Sequence, residues 1–199
     1  MLKLPLDARL DHRVIFECVE PGAKVLDLGC GAGELLALLK EHKGAKVQGI
    51  EISEEAIYRC VEKGLSVVHS DIDSGLPDYP NGSFDIVILN QSLQESKRID
   101  WVLREALRVG KKVIIGFPNF AYLPSRAMLF FRGQAPITKS LPYRWYNSPN
   151  LHFLSITDFR HYCRENNIRI LEAHYLGQRR RLRWLSNLLA MNAVFVLAR

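Results

Sequence analysis

The sequence predicts an α/β fold: a doubly wound, mostly parallel sheet with helices on both faces and a C-terminal pair of antiparallel strands. The first observation behind this prediction is a series of short apolar runs with the length of buried strands. The second is that the segments between them repeat their apolar residues at helical spacing. Such alternation places helices on both faces of a parallel sheet. The predicted parallel strands are residues 24–28, 46–52, 65–69, 84–89 and 111–117.

The segments that connect these strands have the features of amphipathic helices. Apolar residues recur on one face within residues 35–39, 56–61 and 103–107. Ser53, followed by two glutamates, has the position of a helix N-cap. Each predicted helix therefore lies between two predicted strands.

A segment rich in proline and aromatic residues interrupts this alternation. Five of the nine prolines fall between residues 118 and 149, and proline both restricts the backbone and lacks a hydrogen-bond donor. We predict an insertion at about 118–154 within a single domain that spans residues 1–199. The chain length agrees with one domain, because cores usually divide only beyond about 250 residues.

Regular elements are predicted again after the insertion. Ser155 and Asp158 have the spacing of a capping box, which opens a helix through about Asn166. Strand-like runs follow at residues 168–175 and 193–197. We expect these two strands to pair as an antiparallel hairpin across the basic run that separates them.

Composition and segment lengths exclude several classes of protein. With 48% apolar and 24% charged residues, the chain resembles globular proteins rather than disordered or fibrous ones. The longest apolar stretch, residues 184–198, is shorter than the roughly 20 residues of a bilayer span. Residues 1–11 lack the apolar core and cleavage site of a secretory signal. We therefore expect a cytoplasmic protein without membrane contact.

The four cysteines predict neither a disulfide framework nor a metal site. Cys18, Cys30, Cys60 and Cys163 form no CxxC pair and have no nearby histidine at zinc-ligand spacing. Cys30 lies within a glycine-rich turn without a recognisable base, so it is assigned no catalytic role. No metal is expected.

Charge is unevenly distributed along the chain. Residues 1–100 hold 11 basic and 17 acidic side chains, net −6, whereas residues 101–199 hold 16 and 4, net +12. Four arginines lie within residues 179–183, a run that can bind a polyanion or an acidic partner and can equally be a solvated loop. No aromatic residue interleaves this run, as base stacking would require. A nucleic-acid partner is therefore not expected.

A glycine-rich turn follows the first predicted strand. Gly29, Gly31 and Gly33 let the backbone approach a ligand and turn into a helix whose free N–H groups face the same crevice. Glu34 occupies the third glycine position of a dinucleotide fingerprint, and no Gly-Lys-Ser/Thr phosphate loop follows. Glu51 ends the second strand, where a carboxylate can accept hydrogen bonds from both ribose hydroxyls. The ligand is therefore expected to contain a ribose.

The run Asp27-Leu-Gly-Cys-Gly-Ala-Gly33, taken with Glu51, resembles the signature of class I S-adenosylmethionine-dependent methyltransferases, which have a Rossmann-like fold. The resemblance implies that Asp27 orients the cofactor's amino group, that Asp71 and Ile72 contact the adenine, and that Asn90 faces the methionine part. Each acid has an alternative role as a cap. The implied cofactor is S-adenosylmethionine or S-adenosylhomocysteine. The implied cofactor-binding residues are Asp27, Gly29, Gly31, Gly33, Glu51, Ile52, Asp71, Ile72 and Asn90.

A narrower resemblance covers nearly the whole chain and is to the MetW family of methionine biosynthesis proteins. It implies a methyltransferase-fold protein that acts with a homoserine O-acyltransferase partner, and it implies no particular methyl acceptor. Ala32 stands where the family's cofactor loop usually has Asp. The segments that carry the resemblance are residues 60–67, 89–94, 107–110, 117–120 and 141–152.

Whether the chain transfers a methyl group stays open at this level. Transfer from a sulfonium is an in-line displacement in which alignment can supply much of the rate, so a general acid or base is not required. Asn90, Gln91 and Gln94 can line a reacting face or cap helices equally well. No catalytic residue is assigned. The alternative to a partner role is a stand-alone methyltransferase of a small molecule.

The proline-rich segment also has two possible roles. Tyr143, Trp145 and Tyr146 are residue types enriched in interface hot spots, and prolines limit the entropy lost on binding. The same segment can instead form a lid over the cofactor site.

Overall fold

The computed structural model describes residues 9–199. The expectations about a secretory signal and about the start of the domain therefore fall partly on residues 1–8, outside the described part. In residues 9–199 no helix is both long and apolar enough to cross a bilayer. The strands are β1 (Lys24–Leu28), β2 (Lys46–Glu51), β3 (Val67–His69), β4 (Phe84–Asn90), β5 (Gly110–Pro118), β6 (Arg169–Leu176), β7 (Arg181–Leu182) and β8 (Asn192–Ala198). The helices are α1 (Leu10–Cys18), α2 (Glu34–Lys43), α3 (Glu54–Glu62), α4 (Ile99–Val109), α5 (Leu123–Arg132), α6 (Ile156–Glu165) and α7 (Ser186–Leu189).

The eight strands form one sheet in the order β3-β2-β1-β4-β5-β8-β6-β7. Strands β1 to β5 are parallel, and β8 lies antiparallel between β5 and β6. The predicted fold class, a mostly parallel sheet with a C-terminal antiparallel pair, is confirmed. The strand order reverses between β1 and β4, and the crevice at the carboxyl ends of such strands is where open α/β sheets bind ligands.

Alternate residues of the strands pack against helices on opposite faces. Leu26 and Leu89 belong to the cluster that includes buried residues of α4 and α6. Val25 and Ile88 belong to the cluster on the other face, with buried residues of α1 and α2. Full burial of a Val, Leu or Ile side chain contributes about 1.5–3 kcal/mol, so these two layers hold the sheet in its position between the helices.

The two predicted caps are confirmed. The Ser53 hydroxyl accepts a hydrogen bond from the Ala56 N–H at 3.4 Å, at the start of α3. The Ser155 hydroxyl accepts from the Asp158 N–H at 3.2 Å, and the Asp158 carboxylate accepts from the Ser155 N–H at 2.9 Å. These bonds satisfy N–H groups that the helices themselves leave free.

The structure differs from the predicted elements in three places. Helix α1 was not predicted, and helix α5 lies within the predicted insertion. Strands β6 and β8 pair as expected, but not as a simple hairpin. The basic run turns back at once, and its strand β7 pairs with the outer edge of β6. The short helix α7 then leads the chain to the inner edge, so the arginines lie at the sheet's outer rim.

Candidate functional site

The glycine-rich turn joins β1 to α2 at the switch point of the sheet. The N–H groups of Gly29 and Cys30 both donate to the Ile50 carbonyl, at 2.8 and 3.2 Å. Gly31 has φ of +54° and nothing within 4 Å of where a Cβ would lie. Gly33 has φ of +74°, and a Cβ there would come within 2.5 Å of Leu65 Cδ1. Gly33 is thus required for packing, whereas Gly31 borders open space that a ligand can fill.

Glu51, at the end of β2, fixes this turn. Its side chain is buried, and its Oε2 accepts from the Gly31 N–H at 2.8 Å. Its Oε1 accepts from the N–H groups of Ile52 and Ser53, both at 2.9 Å. A carboxylate offers about four acceptor positions. With three backbone N–H groups already bound, about one position is left for a ligand hydroxyl, fewer than the two ribose bonds expected.

Asp27 is a buried acid with one oxygen that receives no hydrogen bond from the described residues. It lies in β1, between Gly49 of β2 and Ile88 of β4. Its Oδ1 is buried and has no hydrogen-bond partner among residues 9–199. Burial raises the pKa of the Asp27 carboxyl to about 7, and the charge of Glu51 acts in the same direction. A cationic ligand group at this point would donate a hydrogen bond to the unpaired Oδ1 and offset the negative charge of the carboxylate.

The remaining predicted residues lie at the ends of β2 and β3. Ile52 is 60% exposed, and its carbonyl lies 3.1 Å from the Nε2 atom of His69. The Asp71 Oδ1 accepts from the Asp73 N–H at 2.9 Å and caps the short 3-10 turn Ile72–Ser74. The Ile72 side chain packs partly against the core. Asp71 therefore has the capping role that was its alternative.

Asn90, at the end of β4, contacts an acid that sequence reasoning missed. The Asn90 Nδ2 donates to Asp11 Oδ2 of α1 at 3.0 Å, and Arg9 forms an ion pair with the same carboxylate at 2.6 Å. The Asn90 Oδ1 is buried without a partner in the described part of the chain. Burial opposes the charge of Asp11, but Arg9, His12 and the Asn90 amide together lower its pKa. No local motif marks Asp11, which lies 79 residues from Asn90.

The loop after β4 joins the strand end to the insertion. Gln91 has φ of +65°, and its carbonyl accepts from the Gln94 Nε2 at 2.7 Å. The Gln94 carbonyl accepts from the N–H groups of Leu151 and His152 at 2.9 and 3.0 Å. Gln94 is 3% exposed. The backbone carbonyl of Gln94 therefore links this loop to the insertion, while its side-chain amide holds the loop's own turn.

A cavity of about 410 Å³ lies between α1, this loop and the insertion. Gln94 and Asn192 both line it, and each has a buried side-chain oxygen without a partner among the residues described. Such oxygens suit a ligand with hydrogen-bond donors. The glycine turn does not line this cavity. Further lining residues are Asp11, Gln91, Glu95, Tyr143 and Asn150.

Comparison with protein families gives the decisive observation. The model of the family described as "Methionine biosynthesis protein MetW" matches residues 9–197. This chain belongs to the MetW family. Its relatives include the bifunctional methionine biosynthesis protein MetXA/MetW of Rhodopirellula baltica, which is 35% identical over 180 residues. That match covers 85% of this chain and 29% of the bifunctional protein.

Solved structures show the same fold. A S-adenosylmethionine-dependent methyltransferase from Mesorhizobium loti aligns with TM-score 0.72 and 16% identity, over 98% of this chain and all of that one. A methyltransferase of the same kind from Archaeoglobus fulgidus aligns with TM-score 0.70 and 18% identity, over 95% and 91% of the two chains. At this identity the likeness shows the class I methyltransferase fold and nothing finer.

Proposed function

We propose that this MetW-family chain binds S-adenosylmethionine or S-adenosylhomocysteine and acts with a homoserine O-acyltransferase in methionine biosynthesis. The observation that carries the cofactor part is the Asp27 oxygen, buried without a partner among residues 9–199 and beside the glycine turn. A protein seldom leaves such an atom unsatisfied without a functional reason. The ammonium group of the methionine part has the charge and the donors that this oxygen lacks.

Three of the other predicted residues, Gly31, Glu51 and Ile52, fit the same ligand. Gly31 leaves the open space that a nucleoside needs next to the backbone. Glu51 keeps about one acceptor position for a ribose hydroxyl. Ile52 provides exposed apolar surface for the adenine ring. When bound, S-adenosylmethionine supplies an electrophilic methyl group. Asp27 would hold its ammonium group and Glu51 a ribose hydroxyl, which orients the ligand, and no catalytic residue is assigned.

The partner part rests on the relative in which a MetW-like region and MetXA form one polypeptide. Fusion of two functions favours a physical association of the separate proteins. The insertion offers an anchor for such a contact, because Trp145 and Tyr146 are 80% and 64% exposed. Their rings lie edge to face, with centroids 5.6 Å apart. Exposed aromatic side chains with few rotamers are typical hot-spot residues.

Two measurements test the proposal separately. Calorimetric titration with S-adenosylmethionine and S-adenosylhomocysteine should give one binding site that weakens in Asp27→Asn. The homoserine O-acyltransferase from the same organism, assayed with and without this chain, should bind it and change activity. Binding of neither cofactor contradicts the first part, and an acyltransferase that neither binds nor responds contradicts the second.

A second candidate function is a stand-alone methyltransferase of a small molecule. The 410 Å³ cavity favours it, since that volume suits a small acceptor and two buried oxygens there lack partners within the described residues. Incubation of the chain with labelled S-adenosylmethionine and cell extract distinguishes the two. A labelled small product formed without the acyltransferase would put this second candidate ahead.

A further inference from the structure

Cys18, Glu172 and His174 form a cluster where the end of α1 meets β6. The Cys18 Sγ lies 3.6 Å from the His174 Nε2, which lies 3.0 Å from the Glu172 Oε2. The three potential ligand atoms lie within 4.8 Å of one another. Cys18 and His174 are half-buried and Glu172 is exposed, so the cluster is open to solvent on one side. Histidine spacing along the sequence could not reveal it, because Cys18 and His174 are 156 positions apart.

The thiol and the carboxylate converge on the same nitrogen of His174. In a nucleophilic relay, the thiol and the carboxylate would contact opposite nitrogens of the ring. One ring nitrogen either donates or accepts a single proton, so it cannot form a good hydrogen bond to both neighbours at once. A cation at the point shared by the three atoms satisfies all of them.

Two of the three separations are close to those of a tetrahedral zinc site. Bonds of about 2.3 Å to sulfur and about 2.0–2.2 Å to nitrogen and oxygen put S and N roughly 3.6 Å apart and N and O roughly 3.4 Å apart. The corresponding separations here are 3.6 and 3.0 Å. Of these two, only the distance between the His174 nitrogen and the Glu172 oxygen is shorter than in such a site, and the exposed side chain of Glu172 can move to lengthen it.

We propose that Cys18, Glu172 and His174 bind a divalent cation of the zinc class, with solvent in the fourth position. A thiolate, a carboxylate and a neutral imidazole together balance the charge of the ion, and binding releases the thiol proton to solvent. Of the nearby cations, Arg181 is already paired with Glu17. The ion would join α1 to β6. It would thereby hold the helix that brings Asp11 to the large cavity.

The test uses the full chain and Co²⁺ as a spectroscopic probe, followed by competition with Zn²⁺. We expect one Co²⁺ per chain, a thiolate-to-cobalt charge-transfer absorption, its loss on adding Zn²⁺, and a higher midpoint of thermal unfolding with Zn²⁺. Cys18→Ser should abolish the charge-transfer band. His174→Gln and Glu172→Gln should weaken Zn²⁺ binding at least roughly tenfold. Because Glu172 is exposed, its variant should fold even if Cys18→Ser does not.

Two variants serve as matched controls. Cys163→Ser removes a buried free cysteine elsewhere, and His161→Gln removes the histidine of an exposed pair with Glu165. Both should bind Co²⁺ and Zn²⁺ like the unaltered chain. The proposal is overturned if the unaltered chain gives no thiolate band. It is also overturned if Glu172→Gln and His174→Gln bind Zn²⁺ with unchanged affinity.

Discussion

At the scale of single residues, Asp27 and Glu51 are two buried acids in opposite situations. Glu51 accepts three backbone hydrogen bonds, whereas Asp27 has an oxygen without a partner in residues 9–199. An acid with bound donors stabilises the fold, and one without them costs stability while ionised. The two acids should therefore respond differently to replacement.

Asp27→Asn should make the ligand-free protein more stable at pH 8 and bind S-adenosylmethionine less well. The folded-state pKa of Asp27 is raised to about 7, while an unfolded Asp titrates near about 3.9. Its contribution to stability therefore falls as the pH rises from about 4 to about 7 and stays low above that. Urea unfolding should show the variant gaining about 1–3 kcal/mol over the original chain at pH 8 and little at pH 4. An equal gain at both pH values would contradict the assignment.

Glu51→Ala should weaken cofactor binding by about 1.5–3 kcal/mol, since it removes an acceptor and releases the glycine turn. Glu51→Gln should weaken cofactor binding nearly as much. Both oxygens of Glu51 face N–H donors, so an amide sets its own NH₂ group against one of them. Calorimetry measures both effects. Glu54→Ala, which removes an exposed acid three residues later, is the control and should bind like the original chain.

At the scale of elements, α1 and the insertion enclose the large cavity. Helix α1 reaches the end of β4 through Asp11 and Asn90, and the insertion reaches the loop after β4 through Gln94. Neither contact involves residues near each other in sequence. Polar contacts at the strand ends therefore add to the apolar packing that docks α1 on the sheet, and they fix α1 and the insertion relative to the end of β4.

Asp11→Ala should lower the free energy of local unfolding of α1 by about 1–3 kcal/mol, because it leaves the Asn90 amide and Arg9 without their partner. The lowered pKa of Asp11 means that its contribution is present above about pH 4 and is lost as the pH falls through the folded-state value. Hydrogen exchange of the N–H groups in α1 measures the effect at pH 7. Asp78→Ala, at an exposed loop position, should leave that exchange unchanged.

Trp145→Ala or Tyr146→Ala should weaken acyltransferase binding by about 2 kcal/mol if either ring is a hot spot. Surface plasmon resonance with the immobilised acyltransferase measures the change, and cofactor titration should be unaffected. Tyr58→Ala, on α3, removes an aromatic ring that is 68% exposed and is the matched control. If Trp145→Ala abolishes cofactor binding and leaves the affinity for the acyltransferase unchanged, the insertion is a lid over the cofactor site.

The elements that sequence predicts well are those with a local signal. The strands of the parallel sheet and the caps at Ser53 and Ser155 were identified because their apolar runs and hydroxyl positions are contiguous. Helix α1 was missed because two of its buried residues, Asp11 and His12, are polar and break the apolar stripe. Helix α5 was missed because only Ser125 of its residues is buried, so it has no apolar face against the core. Contacts between distant residues, such as Asp11 with Asn90, leave no periodic signal.

At the scale of the whole molecule, the positive charge of the second half of the chain should affect how fast the protein associates with a partner. The net charges of the two halves are −6 and +12, and the exposed arginines at the outer rim of the sheet concentrate the positive part. Such charges accelerate encounter with an acidic partner more than they stabilise the complex. Their effect should therefore depend on salt.

Arg179→Gln with Arg180→Gln should slow association with the acyltransferase roughly two- to tenfold at low salt and flatten its salt dependence. Both side chains are exposed, and Arg181 is left in place because it pairs with Glu17. Lys46→Gln with Arg59→Gln removes the same charge from the other half of the chain, although it also breaks an exposed pair of Arg59 with Glu55, and it should change association less. Equal slowing by the two double variants would contradict local steering. Stopped-flow mixing at several ionic strengths provides the rates.

The position of β8 between β5 and β6 has a consequence for how the protein folds during its synthesis. Residues of β5 pair with partners about 80 positions later, as Ile114 does with Val196. During synthesis, β5 therefore has a bare apolar edge, and β6 has no neighbour on its inner side, until β8 has left the ribosome. Pairing over such separations is slow, and bare strand edges favour aggregation. The nascent chain should thus need chaperone protection longest at β5, the strand next to the site.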